Sequence, residues 1–401
     1  MHVLFITHKF PPSIGGMQKQ CFELYQGISR KTKTSLIAPE ESQGSISFFM
    51  GLRRKVKRVL SENPDISVIH LNDGVMGVAC LWLTTYTDIP IVLTVHGLDV
   101  SFPNLIYKKL IIHRFNGYAK IIPVSRYTAT ICQALGIKNE KLHVINNGVD
   151  TFEADEASIA QYKKQILNTI GSNGNNAFII SACGRAVKRK GFSWFIEEVL
   201  PYLEKVKFVM VGPINSPGLL GRIYERWIPQ SIKQQLDLFT AKATDSEKIH
   251  SLLKDNRFKS KAVHLGKVSS EELEGLYAAS HLFVMPNIPV VGDTEGFGLV
   301  ALEAGSRQVP VLASNIEGIT DAIKHDINGL LLPSKDKSVW IDEISRLRDS
   351  EESRVSIGKS AKDYNSKQFS WDRMVTQYLD IFEAFNKKKI SKEDQLSYIK
   401  T

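Results

Sequence analysis

Residues 66–96 read ISVIHLNDGVMGVACLWLTTYTDIPIVLTVH. Two short runs rich in β-branched residues, 66–71 and 89–96, flank a stretch of helical length. Neither run alternates strictly between apolar and polar, so each reads as a strand buried on both faces, the condition of a parallel sheet covered by helices. Parallel neighbours need a crossover, and the stretch therefore predicts a strand–helix–strand unit.

The same unit recurs outward. Toward the N-terminus lie 2–7 (HVLFIT) and 34–39 (TSLIAP), and on the other side 120–125 (KIIPVS) and 141–146 (KLHVIN). A second series follows at 177–183 (AFIISAC), 206–211 (VKFVMV), 261–265 (KAVHL), 281–285 (HLFVM), 309–313 (VPVLA) and 329–333 (GLLLP). Between the series, residues 151–176 are acidic, Asn-rich and Gly-rich, ending in GSNGNN, and read as a linker. A chain of 401 residues exceeds what one hydrophobic core serves. The expectation is an α/β protein of two tandem Rossmann-like domains. Residues 213–260 read as an insertion with helical patterning at 220–239, and 371–387 (WDRMVTQYLDIFEAFNK) as a helix. Residues 1–7 read as a first strand rather than a leader.

Composition narrows the class. The chain has 51 Lys and Arg against 42 Asp and Glu, and 43% of it is hydrophobic, as in soluble folded proteins. Its apolar runs are shorter than the roughly 18 residues that span a bilayer. Residues 1–150 hold 17 Lys and Arg against 10 Asp and Glu, so they carry +7 of the total +9. Cys21, Cys80, Cys132 and Cys183 lack the paired spacing of a zinc or redox site, and scattered core thiols suit a reducing cytoplasm.

Four places hold candidate chemistry. In Glu295-Gly-Phe-Gly-Leu-Val-Ala-Leu-Glu303, two glycines open a helix, whose N-terminal amides favour phosphate, and two glutamates can face one cleft. Equally, Glu303 can be a surface carboxylate and Glu295 a helix cap. Gly184 and Arg185 follow the strand at 177–183, with Lys190 and Gly191 beyond, where two cations can neutralise a diphosphate or form a solvated basic loop. Gly15 and Gly16 let backbone amides approach an anion or simply make a turn, and they lack the full dinucleotide pattern. His96 ends a strand and is a ligand donor or a structural histidine.

Taken in order, GG after the first strand, HG after the fourth, NNGVD at 146–150, GR then KG at 184–191, HLG at 264–266 and EGFGLVALEA at 295–304 resemble the retaining, GT-B-fold glycosyltransferases of family 4. The text GDTEGFGLVALEA is most similar to mannosyltransferases acting on phosphatidylinositol mannosides and related glycolipid and polysaccharide enzymes. The resemblance covers nearly the full chain. It implies two domains facing across a cleft, 1–150 with a C-terminal helix at 371–401 crossing back, and 177–370, joined by the linker 151–176.

It also implies roles. Arg185 and Lys190 would hold the donor diphosphate and stabilise its leaving charge. Glu303 would take the ribose hydroxyls, Glu295 with the backbone of Phe297, Gly298 and Leu299 the donor sugar and phosphate, and His96 the transferred sugar. Gly16 and Gly184 would approach the phosphates, while His264, Gly266 and Val268 would line the base pocket. The donor would be a GDP- or UDP-sugar and the acceptor a glycolipid or polysaccharide. No Asp-x-Asp occurs in the chain, so the expectation is no metal and no cofactor beyond the donor. The sequence departs from the family at Arg307 and Gln308, where small residues and a glycine are usual, with Arg307 expected to face solvent. An epimerase of similar architecture, or a non-catalytic sugar-nucleotide scaffold, are the rival readings.

The acceptor side centres on FFMGLRRKVKRVL at 48–60, an amphipathic basic helix. Phe48, Phe49, Arg53, Arg54, Lys57 and Arg58 would face an anionic membrane, making the enzyme cytoplasmic and peripheral on the inner face of the cell membrane. The alternative is that the apolar stripe packs on the sheet. Nucleic acid is disfavoured, because no binding module is present.

Overall fold

The computed structural model describes residues 1–12, 15–40, 44–101, 112–150, 155–171, 177–214 and 245–399. The helical patterning expected at 220–239 lies outside the described residues. The chain forms two compact units, Met1–Gly148 with Phe369–Thr401, and Val149–Gln368.

The first unit is built on a five-stranded parallel sheet in the order β2-β1-β3-β4-β5, formed by His2–Ile6 (β1), Lys33–Ile37 (β2), Val68–Leu71 (β3), Ile91–Val95 (β4) and Lys120–Pro123 (β5). Every residue of β1 is buried, and its side chains divide by the two-residue period of a strand. Leu4 and Ile6 enter a core with Phe48, Leu52 and Val56 of helix Ser45–Glu62. Val3 and Phe5 enter another with Met374, Val375, Tyr378 and Phe382 of helix Trp371–Ile399. The C-terminal helix therefore belongs to the first unit and closes one face of its sheet. Gly27 admits it, since a Cβ there would lie 2.4 Å from Val375.

Residues 141–146, expected as a further strand, make only a single bridge from Leu142 to Ile121. His143 N and Ile145 N donate to Ile121 O and Pro123 O, but Leu142 N turns back to Asn139 O, so no full ladder forms.

The second unit carries a six-stranded parallel sheet in the order β11-β10-β9-β6-β7-β8. Its strands are Phe178–Cys183 (β6), Val206–Val211 (β7), Ala262–His264 (β8), Leu282–Met285 (β9), Val311–Ser314 (β10) and Leu330–Leu332 (β11). The 151–176 stretch is not a plain linker. Glu156–Thr169 forms a helix capped by the Asp155 carboxylate, and its Ile166, with Ile170 beyond, joins a core with Val209, Val211 and Leu276. Gly275 lets helix Ser270–Ala279 approach, because a Cβ there would lie 2.6 Å from Tyr162. Among the described residues, no helix is long and apolar enough to cross a membrane.

Candidate active site

The second sheet reverses direction between β6 and β9: the chain runs from β6 outward through β7 and β8, and from β9 outward through β10 and β11. Loops at the carboxyl ends of two such strands diverge and leave room for a ligand. Here they carry Gly184, Arg185 and Lys190 after β6, and the segment from Pro286 to Glu295 after β9. Gly191 docks one on the other. Its φ is 68°, and a Cβ would lie 1.9 Å from Pro286 O, so only glycine fits. Ile288 N donates to Arg189 O at 2.9 Å across the same junction.

Docking concentrates charge. Lys190 Nζ lies 2.6 Å from Glu295 Oε2, and the Asn287 amide donates to the same oxygen at 3.1 Å. Arg189 pairs with Asp293 at 3.1 Å and brings Nε within 3.5 Å of Glu295. Burial pushes the Glu295 carboxyl up, but Lys190 and Arg189 outweigh it and hold its pKa at about 2. Arg185 stands beside this cluster, its pKa drawn down by burial and by Arg189. It makes no ion pair among the described residues, and is therefore a cation available to an anionic ligand. Gly184 lets the Lys190 stem cross the backbone, with the Lys190 Cε 3.0 Å from where a Cβ would be.

Helix Leu299–Ser306 opens at Gly298, φ 95°, and among the described residues no side chain caps its N-terminus. Phe297 is buried beneath it. Glu303 is a turn inside and not a surface carboxylate. Burial raises its pKa to about 7, Arg307 lowers it, and the Tyr277 hydroxyl donates to it at 3.4 Å. Arg307 does not face solvent either: it forks onto Glu274 at 2.6 and 2.5 Å. Gln308 adopts the left-handed turn at φ 60° that the usual glycine would take. After β8, Gly266 N donates to His264 Nδ1 at 2.9 Å, and among the described residues the buried His264 Nε2 has no partner. Gly266 O accepts from Gly212 N, and Val268 packs on the β7 side core.

In the first unit the strand order reverses between β1 and β3. His8, after β1, binds Asp73 at 3.0 Å, and among the described residues the neighbouring Asn72 amide is buried with neither atom partnered. His96 Nε2 must donate to the Asn72 carbonyl, at 2.8 Å, which leaves Nδ1 as an acceptor in the neutral ring. Asp99 fixes the turn by accepting from His96 N and Gly74 N. Gly16 is the first residue of helix Gly16–Ser29.

The expected membrane face is corrected in part. Phe48 is 2% exposed and Phe49 is packed against the same core, so the apolar stripe of helix Ser45–Glu62 serves the sheet. Arg53, Arg54 and Arg58 are exposed, alongside Ile46 and Met50. Arg53 lies 4.9 Å over the Trp82 ring and Lys57 4.7 Å over Tyr86.

The structure thus joins Lys190 to Glu295 and sets Arg185 beside them, while Glu303 has partners of its own. It adds Arg189, Asn287 and Asp293, which sequence reasoning missed. The one available signal was the lysine-arginine run at 188–190, whose short turn buries both Arg189 and Lys190.

The model of the family described as glycosyl transferases group 1 matches residues 163–364, and that of glycosyltransferase family 4 matches residues 3–152. An uncharacterized glycosyltransferase of Methanocaldococcus jannaschii is 21% identical, over 96% of this chain and 98% of its own. The D-inositol 3-phosphate glycosyltransferase of Corynebacterium efficiens is 32% identical over 28% of this chain and 25% of its own. Among solved structures, Anabaena HepE in complex with UDP has a TM-score of 0.70 at 16% identity, covering 96% of this chain and 100% of that one. Sucrose-phosphate synthase from Thermosynechococcus elongatus has a TM-score of 0.73 at 16% identity, covering 96% and 98%.

Proposed function

The chain belongs to the group 1 glycosyl transferases and has a two-domain α/β GT-B fold, and we propose that it moves a hexose, with retention, from a UDP- or GDP-sugar to a glycolipid or polysaccharide. The observation that carries this reading is the charge cluster at the reversal between β6 and β9. Arg185 and Lys190 would neutralise the donor diphosphate, and Glu303 would accept from ribose hydroxyls. Glu295, kept ionised by Lys190, would accept from the hydroxyls of the sugar. Solved structures of HepE with UDP and with UDP-glucose favour the uridine donor.

In the proposed reaction the bond from the anomeric carbon to the donor phosphate breaks and a bond to the acceptor hydroxyl oxygen forms on the same face. The hydroxyl proton passes to the departing phosphate. Arg185 and Lys190 supply the positive charge that a divalent ion supplies elsewhere, so the reaction is proposed to be metal-independent. The exposed arginines of helix Ser45–Glu62 would place the enzyme on an anionic membrane.

The test is release of nucleotide diphosphate from a panel of UDP-, GDP- and ADP-sugars with chelator, with and without membrane lipid extract. Release from one donor that requires the extract and ignores the chelator supports the reading. Binding without release from any donor, with the extract or with a polysaccharide, sinks it.

A further inference from the structure

Glu317 follows β10 and lies 22 residues beyond Glu295 in the chain. Its backbone is in the left-handed region, φ 53°, a conformation that side-chain-bearing residues rarely adopt. Its carboxylate Oε2 accepts from the backbone N–H of Glu295 at 2.5 Å. The next residue returns the contact: Gly318 N donates to Glu295 O at 3.1 Å. Gly318 must be glycine for this, since a Cβ would lie 2.0 Å from Gly296 O. The Thr320 hydroxyl donates to Glu317 O at 2.9 Å and fixes the turn from behind. Both backbone polar groups of Glu295 are thus held by one two-residue turn, while its side chain is held by Lys190 and Asn287.

We propose that Glu317 is a positioning residue, whose carboxylate clamps the Glu295–Gly296 turn in the register that donor recognition needs. The proposal rests on the donor site proposed above. Its logic is local: strain at φ 53° persists only where the surroundings determine it, and here they determine the position of a single amide.

The clamp has an electrostatic side. Glu317 faces Glu295 and Asp293 from the loop after β9 and Arg189 from the turn after β6. Ionised, it is the third carboxylate set against Arg185, Arg189 and Lys190, so a diphosphate meets a cluster already neutralised. Burial and the two carboxylates raise its pKa to about 7, against the pull of the Glu295 amide and Arg189. Donor binding is therefore easier with Glu317 protonated.

Three variants separate the clamp, the charge and the fold. Glu317→Gln keeps an oxygen for the amide and removes the charge, Glu317→Ala removes both, and Glu317→Gly relieves the strained backbone while removing both. Amide exchange over residues 293–298, measured without donor, reads the clamp alone. Glu317→Ala and Glu317→Gly should speed it about tenfold, with the rest of the second unit unchanged, and Glu317→Gln should leave it as in wild type. With the donor that wild type turns over, Glu317→Ala should raise donor KM about tenfold with a smaller change in kcat. Glu317→Gln should not raise KM, and should flatten its rise between pH 6 and 8. The proposal is overturned if exchange at 293–298 is unchanged in Glu317→Ala, or if exchange rises equally throughout the unit. It is equally overturned if Gln and Ala raise KM alike. Failure of wild type to release nucleotide strikes the donor reading, and the exchange result still decides the clamp.

Discussion

Lys190 Nζ stands 2.6 Å from Glu295 Oε2, although the two residues lie on separate loops that leave adjacent strands of the sheet. The cation serves two purposes at once. It keeps a buried carboxylate ionised, and it is proposed to meet the donor diphosphate.

Lys190→Ala should therefore lower kcat/KM for nucleotide release by about 10² to 10³-fold, the usual loss when one electrostatic contact to a developing anion goes. It also leaves Glu295 with Arg189 as its nearest cation, at 3.5 Å. The depressed Glu295 pKa stabilises the fold above its ordinary 4.5, and that stability is lost as pH falls toward about 2. Thermal melts should show Lys190→Ala below wild type at pH 7, with the gap narrowing as pH falls below 4.5 and closed near about pH 2.

Glu303 has the opposite sign. Its carboxyl is raised from 4.5 to about 7, so the folded chain resists ionisation; the penalty is absent below pH 4.5, grows up to about 7 and is full above. Glu303→Gln should raise the melting midpoint at pH 8 and leave it unchanged at pH 4, a gain of up to about 3 kcal/mol at the alkaline end. The same variant should lose nucleotide affinity, which calorimetry with UDP and GDP measures. A gain at both pH values would mean that ionisation of Glu303 is not its source.

His96→Ala should cut transfer by about two orders of magnitude and leave nucleotide affinity unchanged within twofold. The Asp99 carboxylate still fixes the turn through the backbone amides of residue 96 and Gly74, so the fold survives. Equal loss of transfer and nucleotide binding would make the residue structural.

What could be read in the sequence was what is encoded locally. Continuous β-branched runs announced β1 and β6 because burial on both faces imposes one composition on neighbouring residues. The glycine-rich loop before Leu299 was legible for the same reason, and Gly298 does take φ 95°. Asp293 and Glu317 were not legible: their partners are remote in the chain, and nothing in a lone charged residue tells whether it is solvated or buried in a pair. Phe48 was misjudged because an amphipathic stripe looks alike whether it meets a sheet or a lipid surface. The helix at Glu156–Thr169 carried a signal in Ile159, Tyr162 and Ile166 after Asp155, obscured by the Asn-rich text beyond it.

Two glycines test how far space, rather than backbone conformation, sets the site. Gly191 and Gly266 have similar angles, φ 68° and 74°, but a Cβ on Gly191 would overlap Pro286 O while one on Gly266 would meet open space. Gly266→Ala should cost about 1 to 2 kcal/mol, the strain of the left-handed region alone. Gly191→Ala must also separate the two loops, and should cost about 2 kcal/mol more in urea unfolding, within the overpacking range. Equal costs would mean that the loops can move apart freely.

The membrane reading now depends on the exposed side of helix Ser45–Glu62, and this decides which variants are informative. Phe48→Ala would excavate a core residue that is 2% exposed, so any loss of binding would report unfolding. Arg54 and Arg58 are exposed, and among the described residues Arg58 reaches only Glu62, at 3.9 Å. Each basic side chain near an anionic surface contributes about 1 kcal/mol, or roughly fivefold in partitioning. The pair Arg54→Glu and Arg58→Glu should therefore reduce cosedimentation with vesicles containing phosphatidylglycerol by more than about 25-fold, leaving melting temperature intact. Because the Debye length shrinks to about 3 Å at 1 M salt, high salt should release wild type as the double variant is released. Salt-resistant binding would shift the contact to Ile46 and Met50, which are 79% and 82% exposed on the same helix.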